Sequence, residues 1–592
     1  MSKKQEKRFT VRSMAVFFLT AVSLVFMVLV FNQCKKKMPQ MPQMPPIKVR
    51  EQTVKKPAPL PVPTAPGKIQ KEDLSVEFVL EEGIEGSVVG GTVCGLMGAP
   101  MGGDSGVNSY SSIRCAPAHS FNTEEYNRIY ENRFLTALDN PLSTFSIDVD
   151  TGSYSNIRRY LNDYQLPPKD AVRIEEMINY FEYHYPEPDG IHPFSITAEM
   201  SACPWESSHL LLHIGIRGKS IASESLPLSN LVFLLDVSGS MDEPDKLPLL
   251  VSSFKLLVPQ LSDGDKVAVV VYAGAAGLVL PSVPGNQKNV ILAALDKLTA
   301  GGCTAGSAGI RLAYQIAAEN FIPNGNNRII LATDGDFNIG VSSTSELIRL
   351  IEEKRENGIF LTTLGFGSGN LKDNRLEKLA DKGNGSYHYI DNILEGKKVF
   401  VHDLKSTLFT IAKDVKIQVE FNPAKVDSYR LVGYENRVLA KEDFADDKKD
   451  AGELGAGHTV TALYEIIPCK PGEKSPVSDP LRFQETNVKA EAFNTGEMAL
   501  VKLRYKQPQG EESQLVTQSV LWEEREFKKS SENVKFSTAV VMFGMLLRES
   551  EYAGNLAYDD VLAYAKDATG PDRYGYRGEF LHLVSVAKRL KQ

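Results

Sequence analysis

The sequence is poor in cysteine and histidine and has no excess of positive charge, and each shortage excludes a class of protein. Six cysteines in 592 residues are too few for a scaffold held by disulfides. The nine histidines form no cluster with metal-ligand spacing, and the zinc-protease motif His-Glu-x-x-His is absent. The 66 basic residues are outnumbered by 74 acidic ones, which gives a net charge of −8 and no basic stripe for nucleic acid.

The length and the N-terminus instead predict a tethered, multidomain protein. A chain of 592 residues with 42% hydrophobic residues exceeds one core, so about two to four domains are expected. A basic leader, residues 1–13, precedes segment 14–34, whose apolar run from Met14 to Phe31 spans about 27 Å as a helix, close to the thickness of a bilayer's hydrocarbon core. The leader favours a cytoplasmic N-terminus and export of the rest.

The anchor itself has two interpretations. The apolar run is either an uncleaved membrane helix or a lipoprotein signal that ends at Cys34, which would then be acylated. Both place the bulk of the chain outside the cytoplasm, in the periplasm or at the cell surface. Residues 35–120 follow as a proline-rich and then glycine-rich linker, in which the prolines favour an extended spacer.

A buried strand that ends in oxygen-bearing side chains is the most informative pattern. The apolar run Leu231–Leu235 predicts a strand covered on both faces, and Asp236, Ser238 and Ser240 follow it at once. Ligands of open α/β sheets bind at this end of the strands. Hard oxygen donors suit Mg²⁺ or Ca²⁺, and so short a loop leaves part of the coordination sphere open to an outside carboxylate.

Two further segments fit the same site. The buried run Arg328–Thr333 delivers Asp334 at the corresponding end of a second strand, and the glycine-rich loop Gly301–Gly306 offers the hydroxyl of Thr304 just before a helical pattern. Strands and helices alternate over residues 229–400. This alternation predicts an α/β fold with a doubly wound, mainly parallel sheet.

The flanks of this domain have a different pattern. Apolar residues alternate with polar ones around Leu212–Ile216, Val415–Phe421 and Val501–Tyr505, as in antiparallel strands with one wet face. We expect these strands to form one β-sandwich into which the α/β domain is inserted. Apolar spacing also predicts an amphipathic helix over Ala171–Phe181 and three closing helices, over Asn533–Glu549, Tyr558–Asp567 and Gly578–Arg589.

The five oxygen-bearing residues together closely resemble the metal-ion-dependent adhesion site of von Willebrand factor type A domains. In that family the first Asp, both Ser, a Thr and a second Asp hold the ion directly or through water. The resemblance implies the following metal ligands in this sequence: Asp236, Ser238, Ser240, Thr304 and Asp334. The implied cofactor is Mg²⁺ or Ca²⁺.

The flanking segments extend the resemblance to about residues 121–592. Pro141–Thr151 and Arg173–Phe181 look like the N-terminal region, and Tyr429–Arg437 and Ala456–Glu465 like the C-terminal region, of bacterial envelope proteins, often lipoproteins, that carry a von Willebrand factor type A domain. The resemblance implies an associated N-terminal region at 121–228, the type A domain at 229–400 and a C-terminal domain of unknown function at 401–592.

We therefore expect a non-enzymatic protein that binds an Asp or Glu of an unidentified protein ligand through the cation. The alternative is a structural scaffold of an envelope assembly with a non-essential metal site. Two rival sites are weaker. Asp150-Thr151-Gly152 occurs once, whereas an aspartic protease needs two such carboxylates, so we interpret it as a turn. Asp242, Glu243 and Asp245 are interpreted as a solvated helix start rather than a second cation site.

Overall fold

A computed structural model of the chain describes residues 123–273, 275–302, 306–335, 344–470, 487–523 and 525–592. The predicted leader, anchor and linker, residues 1–120, therefore lie outside the described residues, as do Cys303 and Thr304. Across the described ranges, no helix is both long enough and apolar enough to cross a membrane.

A six-stranded sheet lies at the centre of the α/β domain. Its neighbouring strands are parallel, apart from one antiparallel pair at an edge. In order across the sheet the strands are Tyr387–Ile390, Ile359–Phe366, Asn326–Thr333, Ser229–Asp236, Lys266–Tyr272 and Ala276–Pro284. The predicted doubly wound, mainly parallel sheet is thus confirmed.

Helices cover both faces of this sheet because alternate residues of its strands point to opposite sides. Leu231 and Phe233 pack in a core with Phe254 of one helix, whereas Val232 and its neighbours pack with Ile310 on the other face. The helices of the domain are Leu247–Leu257, Lys288–Leu295, Gly306–Glu319, Thr344–Glu356 and Asp373–Lys382. Every residue of the central strand Ser229–Asp236 is buried.

The flanking regions form two antiparallel sheets. One contains, in order, Leu135–Thr136, Val426–Val432, Thr459–Pro468, Leu210–Gly218 and Phe194–Ala202. The other contains Gly452–Gly455, Thr410–Phe421, Glu497–Lys506 and Ser513–Leu521, with Leu142–Ser146 also paired to Thr410–Phe421. The two sheets share one core, in which the ring of Phe421 from one sheet stacks 4.0 Å from the ring of Tyr429 from the other. The two sheets therefore form a sandwich.

Strands from both sides of the α/β domain join in the sandwich. Leu210–Gly218 precedes the domain and pairs antiparallel with Thr459–Pro468, which follows it, in a register that sets Arg217 opposite Thr459. The predicted ladder between the two halves is confirmed. The α/β domain is therefore an insertion within an antiparallel β-rich region.

The three closing helices are present, as Glu532–Arg548, Tyr558–Asp567 and Tyr576–Lys591, and they share a core with the helix Gly152–Asn162. The predicted helix over Ala171–Phe181 is shorter, because a 3₁₀ turn at Lys169–Ala171 precedes a helix of Ile174–Asn179. The remaining helical segments are Ser223–Ser225, Gly239–Met241, Val258–Gln260, Ile393–Lys397, Lys398–His402, Leu404–Leu408, Lys441–Phe444, Ala490–Asn494 and Phe527–Lys529.

The prediction that this short helix has a wet face is wrong, since all of Ile174–Asn179 is buried. Its acidic residues have partners that the local pattern does not reveal. Glu175 accepts a hydrogen bond from the backbone N–H of Tyr434 at 2.9 Å, and Glu176 forms an ion pair with Arg173. Buried carboxyl groups of this kind are tolerated when they have hydrogen-bond partners.

Candidate metal centre

The candidate metal ligands lie at the carboxyl ends of two adjacent parallel strands. Ser229–Asp236 ends with the first ligand, and Asn326–Thr333 ends one residue before Asp334. The two strands pair in a register that sets Leu235 opposite Ala332. Both carboxylates therefore emerge at the same edge of the sheet, where ligands of open α/β folds bind.

Asp236 is held by two hydrogen bonds below the surface. Its Oδ1 accepts the backbone N–H of Ser238 at 2.9 Å, and its Oδ2 accepts the hydroxyl of Thr333 at 3.0 Å. The side chain is fully buried. Burial raises the pKa of Asp236, the charge of Asp334 raises it further, and the hydrogen bonds with Ser238 oppose the rise.

The following turn presents two hydroxyls side by side. Ser238 Oγ lies 3.1 Å from Ser240 Oγ, because the 3₁₀ turn Gly239–Met241 folds the chain back after the strand. Ser238 is buried, whereas Ser240 is exposed. The site therefore has a buried carboxylate floor and a hydroxyl that faces solvent.

The glycine-rich loop reaches the same turn through two backbone hydrogen bonds. Gly301 N–H donates to the carbonyl of Val237 at 2.8 Å, and Gly239 N–H donates to the carbonyl of Gly302 at 3.0 Å. Gly301 and Gly302 therefore lie beside the hydroxyl turn. Thr304, the ligand predicted from this loop, lies outside the described residues.

Asp334 contacts a residue that the motif did not include. Its Oδ2 accepts a hydrogen bond from Lys246 Nζ at 3.0 Å, and the same ammonium donates to the carbonyl of Ser240 at 2.8 Å. The next residue, Gly335, has φ +102°, and a Cβ there would lie 2.8 Å from the carbonyl oxygen of Asn370. Glycine is required at this turn.

The donor set fits a hard divalent cation. Carboxylates and hydroxyls are the oxygen ligands that Mg²⁺ and Ca²⁺ take in proteins. Asp236, Ser238, Ser240 and Asp334 are brought together by the hydrogen bonds above. Thr333 and Lys246 also belong to the site, although they are not part of the sequence motif. Their signals were a hydroxyl that directly precedes Asp334 and a lone basic residue in the acidic stretch Met241–Leu247.

The acidic residues that follow the hydroxyl turn lie at or near the surface. Asp242 and Glu243 are exposed, and Asp245 accepts a hydrogen bond from Ser368 Oγ at 3.2 Å. The interpretation of this stretch as a solvated helix start remains a prediction. The bond from Ser368 links it to the loop that follows the strand Ile359–Phe366.

A second acidic cluster, Asp148, Asp150 and Glu176, has carboxylate oxygens within 4.8 Å of one another. Its carboxyl groups are already in contact with guanidinium groups. Arg437 lies 3.2 Å from Asp148 and 3.0 Å from Asp150, and Arg173 pairs with Glu176. We interpret the cluster as an ion-pair network rather than a metal site.

The same network corrects the interpretation of Asp150-Thr151-Gly152 as a turn. Gly152 begins the helix Gly152–Asn162, and Asp150 Oδ1 accepts the backbone N–H of Tyr387 at 2.7 Å. Tyr387 belongs to the edge strand of the central sheet, so Asp150 joins the flanking region to the α/β domain. Burial, together with the neighbouring Asp148, raises the pKa of Asp150 despite the contact with Arg437.

Fold and site together define a protein with a von Willebrand factor type A domain set between two flanking regions. Family models match in that order: "von Willebrand factor" at residues 120–213, "von Willebrand factor type A domain" at 230–400, and "Uncharacterized protein YfbK, C-terminal" at 406–590. The chain is 44% identical over 472 residues to "Uncharacterized protein YfbK" of Escherichia coli strain K12, over 78% of this chain and 81% of that protein. It belongs to the YfbK family.

Other similarities are more distant. "Uncharacterized protein sll0103" of Synechocystis is 31% identical over 175 residues, 30% of this chain and 40% of that protein. Two solved structures are similar at low identity. The von Willebrand factor type A protein from Catenulispora acidiphila is 16% identical, with a TM-score of 0.38, over 67% of this chain and 91% of that one. The ArnB paralog VWA2 from Sulfolobus acidocaldarius is 13% identical, with a TM-score of 0.33, over 67% of this chain and 98% of that one.

The type A domain indicates a role in protein–protein interaction or adhesion. Domains of this type typically bind a divalent metal ion at the end of the central sheet described above.

Proposed function

We propose that the protein is a membrane-tethered, extracytoplasmic binding module that captures an Asp or Glu of a protein ligand through a divalent cation. Asp236 and Asp334 would hold the cation, and Ser238, Ser240 and Thr304 would supply neutral oxygens. The bound cation would accept the ligand's carboxylate. The protein acts by binding and not by catalysis.

The observation that carries this proposal is the convergence of two strand ends and a hydroxyl turn on one edge of the sheet. The carboxylate of Asp236 is buried beneath the site, whereas Ser240 is exposed. Hydroxyl ligands add no charge, so a cation held largely by them stays attractive to an incoming carboxylate. The exposed side gives a ligand access without a change in the fold.

Thermal unfolding of the purified full-length chain, with and without MgCl₂, tests the cation. We expect Mg²⁺ to raise the melting temperature of the wild type and to have no effect on Asp236→Ala. Asp263→Ala is the matched control, because Asp263 is exposed in the turn before the strand Lys266–Tyr272, at the opposite end of the sheet. A wild type that does not respond to Mg²⁺, Ca²⁺ or Mn²⁺ contradicts the cation-dependent function.

Capture of partners from crosslinked cells tests the binding role. Partners that depend on the site are lost in EDTA and in Asp236→Ala but retained by Asp263→Ala. Partners retained at full strength in EDTA contradict the mechanism and leave the fold intact.

A second candidate function, a scaffold of an envelope assembly, is favoured by the buried network between the α/β domain and its flanks. Arg173 of the flank pairs with Asp373, and Arg437 pairs with Asp381 at 2.8 Å. These pairs join the inserted domain to its flanks. The scaffold predicts that Asp236→Ala captures the same partners as the wild type.

The membrane tether is a separate part of the proposal, and it depends on the sequence of residues 1–34. Metabolic labelling with [³H]palmitate distinguishes the two anchors. Label that is present in the wild type and lost in Cys34→Ser supports a lipid anchor. An unlabelled chain that stays in the membrane fraction supports an uncleaved helix.

A further inference from the structure

A buried ammonium lies at the edge of the candidate metal centre. Lys246 Nζ joins the two sides of the site, because it donates to the carbonyl of Ser240 at 2.8 Å and to Oδ2 of Asp334 at 3.0 Å. The side chain of Lys246 is only 9% exposed, and that of Asp334 is fully buried. The ion pair is thus shielded from solvent. Two charges interact more strongly in the protein interior than at its surface.

The position of Lys246 is enforced by the loop Gly367–Lys372, which we term the covering loop. Gly367 has φ +74°, and a Cβ at this position would lie 2.6 Å from Cε of Lys246. The loop is fixed in turn, because the hydroxyl of Tyr389 donates to the carbonyl of Gly367 at 2.8 Å and Ser368 donates to Asp245 at 3.2 Å. The covering loop is therefore held in direct contact with the stem of Lys246.

The ammonium changes the charge of the site. When all three side chains are ionised, Asp236, Asp334 and Lys246 carry a formal charge of −1 together, whereas the two carboxylates alone would match the charge of a divalent ion. Binding of a divalent ion beside Lys246 produces a single net positive charge in a partly buried site. A carboxylate from a ligand restores neutrality.

We propose that Lys246 is an internal counter-cation that weakens binding of the divalent ion alone and makes tight ion binding depend on an incoming carboxylate. This inference rests on the proposed function, which it deepens by naming the residue that couples the two ligands. The coupling is reciprocal, so a bound carboxylate increases the affinity for the ion by the same factor as the bound ion increases the affinity for the carboxylate.

Titration calorimetry with Mn²⁺ on the full-length chain tests the inference. Lys246→Met removes the charge and keeps the apolar stem, and Lys246→Gln removes the charge and keeps an N–H donor. Lys255→Met is the control, because Lys255 forms an ion pair with Asp296 at the surface. We expect both Lys246 variants to bind Mn²⁺ about tenfold more tightly than the wild type, and Lys255→Met to bind it like the wild type.

The carboxylate dependence is measured with acetate as the probe, with chloride at the same ionic strength as the reference. Acetate should tighten Mn²⁺ binding to the wild type several-fold and have a smaller effect on the Lys246 variants.

The outcomes separate this inference from the function on which it rests. A wild type that binds Mn²⁺ while Lys246→Gln binds it equally or more weakly overturns the inference alone. Absence of Mn²⁺ binding in the wild type and in both Lys246 variants overturns the proposed function as well. If Lys246→Met does not fold, as judged by its thermal unfolding, the comparison with Lys246→Gln decides.

Discussion

The carboxylate of Glu124 accepts a hydrogen bond from the backbone N–H of Gly369 at 2.7 Å. This bond attaches the first described residues of the chain to the covering loop, the same loop that holds Lys246 in place. Thr123 reinforces it, since its N–H donates to the carbonyl of Gly369 at 2.8 Å. The segment that leads from the predicted tether is therefore bonded to the surroundings of the candidate metal centre.

Glu124→Ala is expected to destabilise the chain by about 2–4 kcal/mol, because it removes a buried charge partner of Arg159 and leaves several donors unpaired. The Glu124 carboxylate also accepts hydrogen bonds from the hydroxyls of Tyr160 at 2.6 Å and Tyr126 at 2.8 Å. Urea-induced unfolding measures the change. Glu125→Ala is the control, because the Glu125 side chain is 61% exposed in its ion pair with Lys372, and a change within about 1 kcal/mol is expected.

The pH dependence of this difference has a definite sign. Arg159 and the hydrogen bonds outweigh burial and lower the pKa of Glu124 below its usual value. The stabilisation by Glu124 is therefore present above the pKa of the unfolded chain and lost as the pH falls through the pKa of the folded chain. A difference between wild type and Glu124→Ala that grows on acidification contradicts the assignment.

Much of the fold could be predicted because it depends on local pattern. The apolar run Leu231–Leu235 predicts a two-sided buried strand, and all of Ser229–Asp236 is buried. Alternation around Ile214 and Val419 predicts the strands themselves, but the wet face expected of them is wrong, because His213, Lys416 and Gln418 are buried as well. The change of pattern on either side of the α/β domain predicts a sandwich of strands from both flanks, although the strand that pairs with Leu210–Gly218 is Thr459–Pro468, which was not among the predicted strands.

Contacts between charged residues far apart in sequence could not be predicted in this way. Glu176 looks like a solvent-facing position in a helical pattern, yet it is buried because Arg173 and the N–H of Ser153 satisfy its carboxylate. Lys246 is another example. Its position depends on Gly367, which lies over a hundred residues further along the chain and allows close approach only because it lacks a side chain.

Gly367→Ala tests the contact between the covering loop and Lys246. Both Gly367 and Gly369 have positive φ, +74° and +83°, but only Gly367 has neighbouring atoms within 4 Å of a built Cβ. Gly369→Ala is therefore the matched control for the backbone strain, which costs about 1–2 kcal/mol in each variant. We expect Gly367→Ala to cost about 1 kcal/mol more.

Urea-induced unfolding measures this difference, and Mn²⁺ titration reports whether Lys246 has moved. Equal destabilisation by the two alanines, with equal Mn²⁺ affinity, contradicts a steric role for Gly367 beside Lys246.

The raised pKa of Glu176 predicts that the folded chain loses stability as the pH rises toward about 8. Burial raises the pKa of Glu176 to about 8, against the opposing effect of Arg173. The folded chain then retains a proton that the unfolded chain releases, so the contribution is fully present below the unfolded pKa, declines as the pH rises, and is lost above about 8. The decline for one group cannot exceed about 1.4 kcal/mol per pH unit.

Urea midpoints measured from pH 5 to pH 9 test this titration. The wild type should lose stability from pH 5 to about pH 8 and level off above it, and Glu176→Gln, which keeps a neutral side chain at all pH values, should show a flatter profile. Stability of the wild type that rises from pH 5 to pH 8 in parallel with the variant contradicts the raised pKa.

Thr304 provides the last test, because it is the predicted ligand that lies outside the described residues. Gly301 and Gly302, which precede it in sequence, are bonded to Val237 and Gly239 beside Asp236, so we predict that the Thr304 hydroxyl completes the site. Thr304→Val removes the oxygen and keeps the shape, and we expect Mn²⁺ binding to weaken about tenfold, or about 1.4 kcal/mol, without a change in stability in EDTA. Asp236→Ala should abolish binding, since a lost charged ligand costs more than a lost neutral one. If Thr304→Val binds Mn²⁺ like the wild type while Asp236→Ala does not bind it, Thr304 is excluded from the ligand set. The two carboxylates and the hydroxyl turn would then remain as the ligands.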